Sequence, residues 1–374
     1  MFQVRVVKRS ALLHKVKIFS YCHLNKDMMY MKYMKALLVP VEKVEPVRKT
    51  LLGSGYLATG RRLIRRGDYF EIPVIDENVP GFESFPVVCQ QHVEYYESGA
   101  GLRDLLKRYL DTEKLNMLPK GWQVLGDVMI ISLNRELYSV RAQIGHALLQ
   151  MYLHCKSVFL DEGIKGEMRK PKRELIAVRD GVDDPGTTVH IENGCRFKMD
   201  ARKVMFSKGN LEERIRMSRL GSGEVVVDMF AGIGYFTIPM VVCSRPKKIV
   251  AIELNPESYH YLIENIRLNH GEYIVEPVLG DCAKKTPIST ADRVIMGYVK
   301  CTHYYLINGI LALKPGGVLH YHETVPICLT PARPIDRIKA AAGSLGRETE
   351  VISWHRVKKY SPGVWHVVID ARIY

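Results

Sequence analysis

The short apolar run Val225-Val226-Val227 passes directly into Asp228-Met-Phe-Ala-Gly232-Ile-Gly234. Glycines just after a strand let the backbone approach a ligand with no Cβ in the way, and the carboxyl end of the first strand is where open α/β sheets receive nucleotides. A GxG turn alone is weak evidence. It gains weight from Lys248-Ile-Val-Ala-Ile252, a second strand ending in Glu253, 25 residues after Asp228, where a carboxylate accepts both hydroxyls of a ribose. A third strand, Val275 to Leu279, leads to Asp281-Cys282, a place suited to an adenine edge. Ala291 to Met296 reads as a fourth strand, and Gly316 to His320 as a later one after a Lys-Pro-Gly-Gly turn. Singly, Asp228 as a helix cap and Glu253 or Asp281 as loop carboxylates would be ordinary. Together, polar residues at successive strand ends describe a nucleoside pocket.

The third glycine of the dinucleotide fingerprint is missing, since Thr237 stands there, which argues against NAD or FAD. Asp228 at the first turn repels phosphate but suits the ammonium of an amino-acid tail. The expected ligand is therefore S-adenosylmethionine, with Gly232 giving the close approach.

These strand ends need a sheet to hold them. From about Asp200 the chain alternates strand and helix, the mark of a parallel sheet with crossover helices, so the expected fold class is α/β with a Rossmann-like sheet. Four segments are expected. Residues 1–34 are basic and patternless, either a basic arm or a start codon set too early. Residues 35–80 form a small α/β domain with a strand at Ala36–Val41, a helix at Lys43–Gly53 and a strand pair at Tyr69–Val74. Its turn carries Arg61, Arg62, Arg65 and Arg66, read as a solvated loop or a phosphate contact. The Pro/Gly-punctuated stretch Asn78–Pro86 reads as a linker, and residues 86–188 make a middle α/β domain, with helices at Leu102–Leu110 and Val140–Cys155 and a strand at Trp122–Leu133. Residues 189–374 are the ligand-binding domain.

Lys and Arg number 54 against 40 Asp and Glu, a formal charge of +14, on a chain of 374 residues with 47% hydrophobic content. Such a body has no need of metal or disulfide staples, and its positive excess favours a polyanionic partner. Between Arg196 and Arg219 eight Lys/Arg stand against three Asp/Glu, a second basic face for RNA. The eight cysteines form no CxxC pair, so no metal site is expected and a reduced, cytoplasmic home is the simplest. The weakly charged run Val225–Cys243 contains Gly232, Gly234 and Pro239 and reads as strand, turn and helix start; no membrane span is expected.

The stretch from Val225 resembles the class I methyltransferase fold. From Lys35 onward the chain is similar to the tRNA guanosine N1-methyltransferases and to their sister group, the wybutosine-synthesizing aminocarboxypropyltransferases. Phe206-Ser-Lys-Gly-Asn-Leu-Glu-Glu-Arg214 matches a segment that lies over the cofactor in both groups. The methylating members carry Asn-Leu-Pro or Asn-Pro-Pro after the fourth strand; here Met296-Gly297-Tyr298-Val299 stands there. With His320-Tyr-His-Glu-Thr-Val-Pro326 and the run from Tyr360 to Asp370, this is similar to the aminocarboxypropyltransferase branch.

The resemblance implies transfer of the 3-amino-3-carboxypropyl group of S-adenosylmethionine to the demethylwyosine base 3′ of the tRNA anticodon, with methylthioadenosine leaving. Methyl transfer to guanosine N1 is the alternative, and a non-catalytic tRNA-binding module the second. It also implies that Ser207 and Arg214 contact the cofactor, Arg214 as clamp for the tail carboxylate. Glu213 falls where the methylating sisters place a general base. His320 and His322, alternating on a strand beside Glu323, are candidates to contact the base or to pack.

Overall fold

The computed structural model describes residues 35–58, 61–90, 101–166, 170–299 and 301–374; the expectation for residues 1–34 lies outside them. The chain divides into two units at Gly101/Leu102.

In the first unit, strands β1 (Lys35–Pro40), β2 (Ile64–Arg66), β3 (Tyr69–Pro73) and β4 (Val87–Cys89) form a sheet in the order β2-β3-β1-β4. Leu37 and Val39 of β1 and Ile72 of β3 meet Val47 and Leu51 of the helix Val44–Gly53, one turn apart on its inner face. Two readings need correction here. The stretch Asn78–Pro86 is part of this unit: Val79 is buried, Phe82 and Phe85 pack on the core, and the chain leads into β4 against β1. Arg61 belongs to neither a solvated loop nor a phosphate patch. It is buried and donates to the carbonyls of Lys35 (3.0 Å) and Val74 (2.6 Å) and to Gln90 Oε1 (3.3 Å). Arg62, Arg65 and Arg66 are exposed, the last paired with buried Glu71 at 2.6 Å.

The second unit opens with the short helices Leu102–Leu106 and Thr112–Met117, and then β5 (Gln123–Leu125), β6 (Val128–Ile131), β7 (Ser157–Lys165) and β8 (Lys170–Val178) form a four-stranded sheet packed on the helix Arg141–Met151. The strand expected over Trp122–Leu133 is two, because Gly126 takes a φ of 54° and turns the chain back. The hairpin β9 (Thr187–Glu192) and β10 (Cys195–Asp200) turns at Asn193-Gly194, both at positive φ, the geometry that a two-residue hairpin demands.

The main sheet comprises β11 (Val225–Asp228), β12 (Lys248–Glu253), β13 (Val275–Leu279), β14 (Ala291–Met296), β15 (Leu313–Pro326), β16 (Thr349–Ser361) and β17 (Val364–Ile373), ordered β13-β12-β11-β14-β15-β17-β16. The five strands from β13 to β15 are parallel, while β17 and β16 return antiparallel. Strand order reverses between β11 and β14, so the ligand crevice of such a sheet lies at those carboxyl ends. Period-two alternation splits the strands between two cores. Val226, Ile249, Ala251 and Ile295 face one, and Val227, Val250, Ile252, Val294 and Met296 the other. The Lys-Pro-Gly-Gly segment is absorbed into β15, where pairing with β14 jumps from Ala291–Leu313 to Arg293–Val318 and Gly316 takes a φ of 80°.

Asn265, fully buried on the helix Pro256–Leu268, ties this sheet to the hairpin. Its amide donates to the carbonyls of Ile233 and Lys198 and accepts from Lys198 N at 2.6 Å. The glycine turn is thereby held from behind.

Arg61→Ala is expected to destabilise the first unit by about 1–3 kcal/mol, because the buried Val74 carbonyl loses this donor, while the Lys35 carbonyl keeps its bond from Val74 N. Arg65→Ala, whose guanidinium bonds the exposed turn carbonyl of Gly67, should leave stability within about 0.5 kcal/mol. Urea unfolding followed by hydrogen exchange over residues 35–90 checks both; equal effects would contradict the burial of Arg61.

Candidate active site

The carboxyl ends of β11 to β14 open on a cavity of about 300 Å³. Gly232, Glu253, Asp281, Cys282 and Gly297 line its floor, the segment from Lys203 to Arg214 supplies a roof, and Lys358, Tyr360 and His366 come from the two antiparallel strands.

Glu253 accepts from Gly232 N at 2.8 Å through one oxygen and from Asn255 N at 2.7 Å through the other. Burial raises its pKa. A carboxylate has about four acceptor sites, so two backbone bonds leave room for two hydroxyls. Gly232 has a φ of 59°, and a Cβ there would lie 2.3 Å from the Tyr235 ring; the turn closes this tightly only with glycine. Asp281 caps the short helix Cys282–Lys285 by accepting from Ala283 N at 2.9 Å, which leaves its second oxygen. The Cys282 thiol is pushed up to about 12, chiefly by burial, and is no nucleophile.

Asp228 is fully buried and is absent from the cavity wall. Its oxygens accept from Thr237 Oγ1 at 2.8 Å and from Phe230 N at 3.3 Å. The carboxyl therefore ties the strand end to the following helix, and burial raises its pKa to about 7.

In the roof, Arg214 lines the cavity but is already engaged. Its Nε and Nη2 donate to Glu192 at 2.6 and 2.8 Å, Nη1 donates to the Ser207 carbonyl at 3.1 Å, and the guanidinium lies 4.7 Å from the Phe206 ring centre. One N–H on each terminal nitrogen remains for a ligand. Ser207 Oγ accepts from Lys358 Nζ at 2.7 Å.

Glu213, His320 and His322 are absent from the cavity wall. Glu213 accepts from Arg216 (2.7 and 3.0 Å) and faces His355 Nε2 at 2.7 Å; burial would raise its pKa, but these partners hold it down at about 2. His320 lies between Arg293, 2.5 Å from Nε2, and Asp370, 2.5 Å from Nδ1. Arginine only donates, so Nε2 accepts and the proton sits on Nδ1. Both nitrogens are thus used, and burial lowers its pKa. His322 Nδ1 lies 3.0 Å from His366 Nε2, and His366 does line the cavity.

Three functional candidates escaped the sequence reading. Phe230 stacks on Tyr298 (5.4 Å, 22°) and meets Tyr305 edge-on (5.5 Å, 77°), an aromatic wall for a flat base. The signal for it was Tyr298 in the tetrapeptide after the fourth strand. His366 and Lys358 carried only the weak signal of a polar residue in the C-terminal strands.

The TRM5/TYW2 methyltransferase domain profile matches residues 188–352, a TYW2 N-terminal domain matches 102–183, and a tRNA methyltransferase 5 N-terminal domain matches 36–83. The tRNA(Phe) (4-demethylwyosine(37)-C(7)) aminocarboxypropyltransferase of Pyrococcus horikoshii is 38% identical over 73% of this chain and 96% of its own length. That of Methanocaldococcus jannaschii is 43% identical over 67% and 97%. The chain belongs to the TRM5/TYW2 family, in its TYW2 branch. A sister, the tRNA (guanine(37)-N(1))-methyltransferase Trm5b of Pyrococcus abyssi, is 32% identical over 90% of the chain and 98% of its own length.

Among solved structures, P. horikoshii TYW2 in complex with MeSAdo superposes with a TM-score of 0.64 at 36% identity, covering 73% of this chain and 98% of that one. M. jannaschii TYW2 in complex with AdoMet gives 0.55 at 40%, covering 68% and 99%. The complex of aTrm5 and tRNALeu gives 0.62 at 28%, covering 91% and 99%. The two TYW2 relatives are thus spanned almost whole by about the last three quarters of this chain, and the first unit matches a domain named for the methylating sister. The methyltransferase-type sheet expected from the strand ends is the sheet observed. Among the described residues no helix is long and apolar enough to cross a membrane, and no group of three metal-ligand side chains gathers.

Glu213 gives this TYW2-branch domain an acid limb. Its folded pKa is about 2 against an ordinary 4.5, so its stabilisation is full above pH 4.5 and is lost as pH falls towards 2, about 3 kcal/mol in all. Glu213→Gln should be less stable than the parent at pH 6, with the gap shrinking by pH 3. Urea unfolding at the two values checks this; a constant gap would mean that the carboxylate titrates normally.

Proposed function

We propose that this chain is a tRNA-modifying transferase that moves the 3-amino-3-carboxypropyl group of S-adenosylmethionine to C7 of 4-demethylwyosine at the position 3′ of the anticodon, releasing methylthioadenosine. One observation carries the branch assignment. Gly297 stands in the cavity wall where the methylating sisters are expected to hold a side-chain amide, and a Cβ there would come within 2.9 Å of the Phe236 ring. No side chain fits without displacing that ring, so the fixed acceptor that aligns a base for methyl transfer is missing.

The cavity fits the donor. Glu253 has acceptor sites left for the ribose, Asp281 and the Cys282 backbone suit the adenine edge, and Gly232 lets the turn close against the Tyr235 ring, where a Cβ would clash. Arg214, with one N–H left on each terminal nitrogen, and Ser207 are assigned to the tail carboxylate. When bound, the sulfonium supplies the activation of the transferred carbon. The protein's own work is placement: Glu192 fixes the plane of Arg214, and Phe230 with Tyr298 offers a stacking face for the target base. Asp228 acts one layer below, by holding the turn. The exposed basic residues of the first unit and of segment 196–219 are assigned to the tRNA backbone, which predicts affinity that falls with salt.

Donor labelled separately in its methyl group and its methionine backbone tests the reading. Backbone label on tRNA with methylthioadenosine released is expected; adenosylhomocysteine as coproduct would move the chain to the methylating branch. Glu253→Ala should weaken methylthioadenosine binding about 10²-fold, from two hydrogen bonds to a charged group. It should also lower the melting temperature, since Gly232 and Asn255 lose their acceptor. Unchanged affinity by titration calorimetry would remove Glu253 from the ribose site.

A further inference from the structure

Alkylation at a ring carbon leaves a proton to dispose of. On the proposed reaction, the π pair at C7 forms the new bond to the γ-carbon, and the broken S–Cγ pair stays on sulfur, giving neutral methylthioadenosine. The ring is left cationic, with both hydrogen and the new substituent on C7. Aromaticity returns when the C–H pair flows back into the ring and the proton departs to a base.

Glu253 ends β12 and Asp281 follows β13, and three strands separate β12 from β17. Glu213 does not reach the cavity wall, and His320 has both nitrogens engaged. His366 is different. It lines the cavity while 1% exposed, its Nε2 is turned to His322, and its Nδ1 has no hydrogen-bond partner among the described residues. Behind it, His322 is fully buried, and its own unpartnered Nε2 lies 3.8 Å from Glu213 Oε1.

We infer that His366 accepts the C7 proton, with His322 and Glu213 aligned behind it as positioning residues. This rests on the aminocarboxypropyl reading of the same cavity. The proton goes to Nδ1 of His366, Nε2–H shifts to His322 Nδ1, and the positive charge that forms on the pair faces the Glu213 carboxylate. Glu213, which the sequence placed as a general base, thus acts at a distance through two imidazoles. Burial, with His322 and Lys358 adding to it, keeps His366 unprotonated at neutral pH, its pKa held down at about 2. A weak base suffices, because the sp³ C–H of a cationic ring is a strong acid whose loss restores aromaticity.

The test uses the full chain and tRNA bearing the precursor base with hydrogen or deuterium at C7. Wild-type enzyme should show an isotope effect near one. His366→Asn should bind methylthioadenosine as before, turn over about 10²–10⁴-fold more slowly, and show a primary isotope effect, because proton loss now limits the rate. A methylthioadenosine-binding variant with wild-type rate, or slow without an isotope effect, overturns the inference. If His366→Asn no longer binds methylthioadenosine, His322→Gln, away from the cavity wall, must show the isotope effect, and its absence overturns the inference. Independently of turnover, ¹⁵N NMR of the imidazoles should find Nδ1 of His366 without a proton; a proton there also overturns it. Adenosylhomocysteine from the wild-type enzyme would instead defeat the functional reading itself.

Discussion

A carboxylate taken out of water costs several kcal/mol unless charge and donors go with it. Glu213 and Asp370 are both buried, and Arg216 bridges them, with 2.7 Å contacts to each. His355 and Ser353 of β16 and His320 of β15 complete the shell. These partners come from the roof helix Leu211–Met217 and from strands more than a hundred residues later. The roof is fixed over the cavity by the partners that satisfy these two charges. On its other side Arg214 pairs with Glu192 of β9, so a second buried pair holds the helix to the hairpin. Loss of one partner from such a pair leaves a buried charge uncompensated, at about 3–5 kcal/mol.

That dependence explains what could be read in advance. β11 and β12 were legible because each is an apolar run with a polar terminus, and β13 and β14 because they recur in the same alternation of strand and helix; strand ends in a parallel sheet must converge on one edge. Glu253, Asp281 and Gly232 followed from that rule alone, and all three line the cavity. Asp228 obeys the same pattern but points into the turn, since Thr237, the residue that broke the dinucleotide fingerprint, is its hydrogen-bond partner. Motif position cannot tell a ligand contact from a contact one layer beneath it. Arg61 misled for a related reason: among four arginines, only the three-dimensional closure of the sheet decides which one is swallowed.

The antiparallel pair β16 and β17 was the illegible half. Its pairing with β15 is long-range, and β16 is interrupted by three register shifts that destroy clean alternation. Yet it carries Lys358, Tyr360 and His366 into the cavity and His355 to Glu213. A histidine in a strand has no periodicity to mark it. Its significance lies in which nitrogen is left unpartnered, and that is fixed by His322, 44 residues away on the neighbouring strand, through a contact that only folding brings about.

The electrostatics of the cavity run against those of the whole molecule. The chain carries a formal charge of +14, suited to tRNA phosphates and unsuited to a sulfonium cation. Two of the cations that line the cavity are charge-matched, Arg214 by Glu192 and Lys203 by Glu257 at 3.0 Å, and Lys358 is held by the Ser207 hydroxyl. The carboxylates of Glu253 and Asp281 face the same space, and the imidazoles at the far end are neutral. A cationic donor therefore enters a site whose local field does not repel it, while the basic surface outside attracts the RNA. As the donor becomes a neutral thioether and its charge passes to the acceptor ring, the nearest groups to receive the proton are imidazoles backed by Glu213. Positive charge is thus drawn from the nucleoside end of the cavity towards the buried carboxylate that holds the roof in place, and one constraint of folding serves both structure and charge flow.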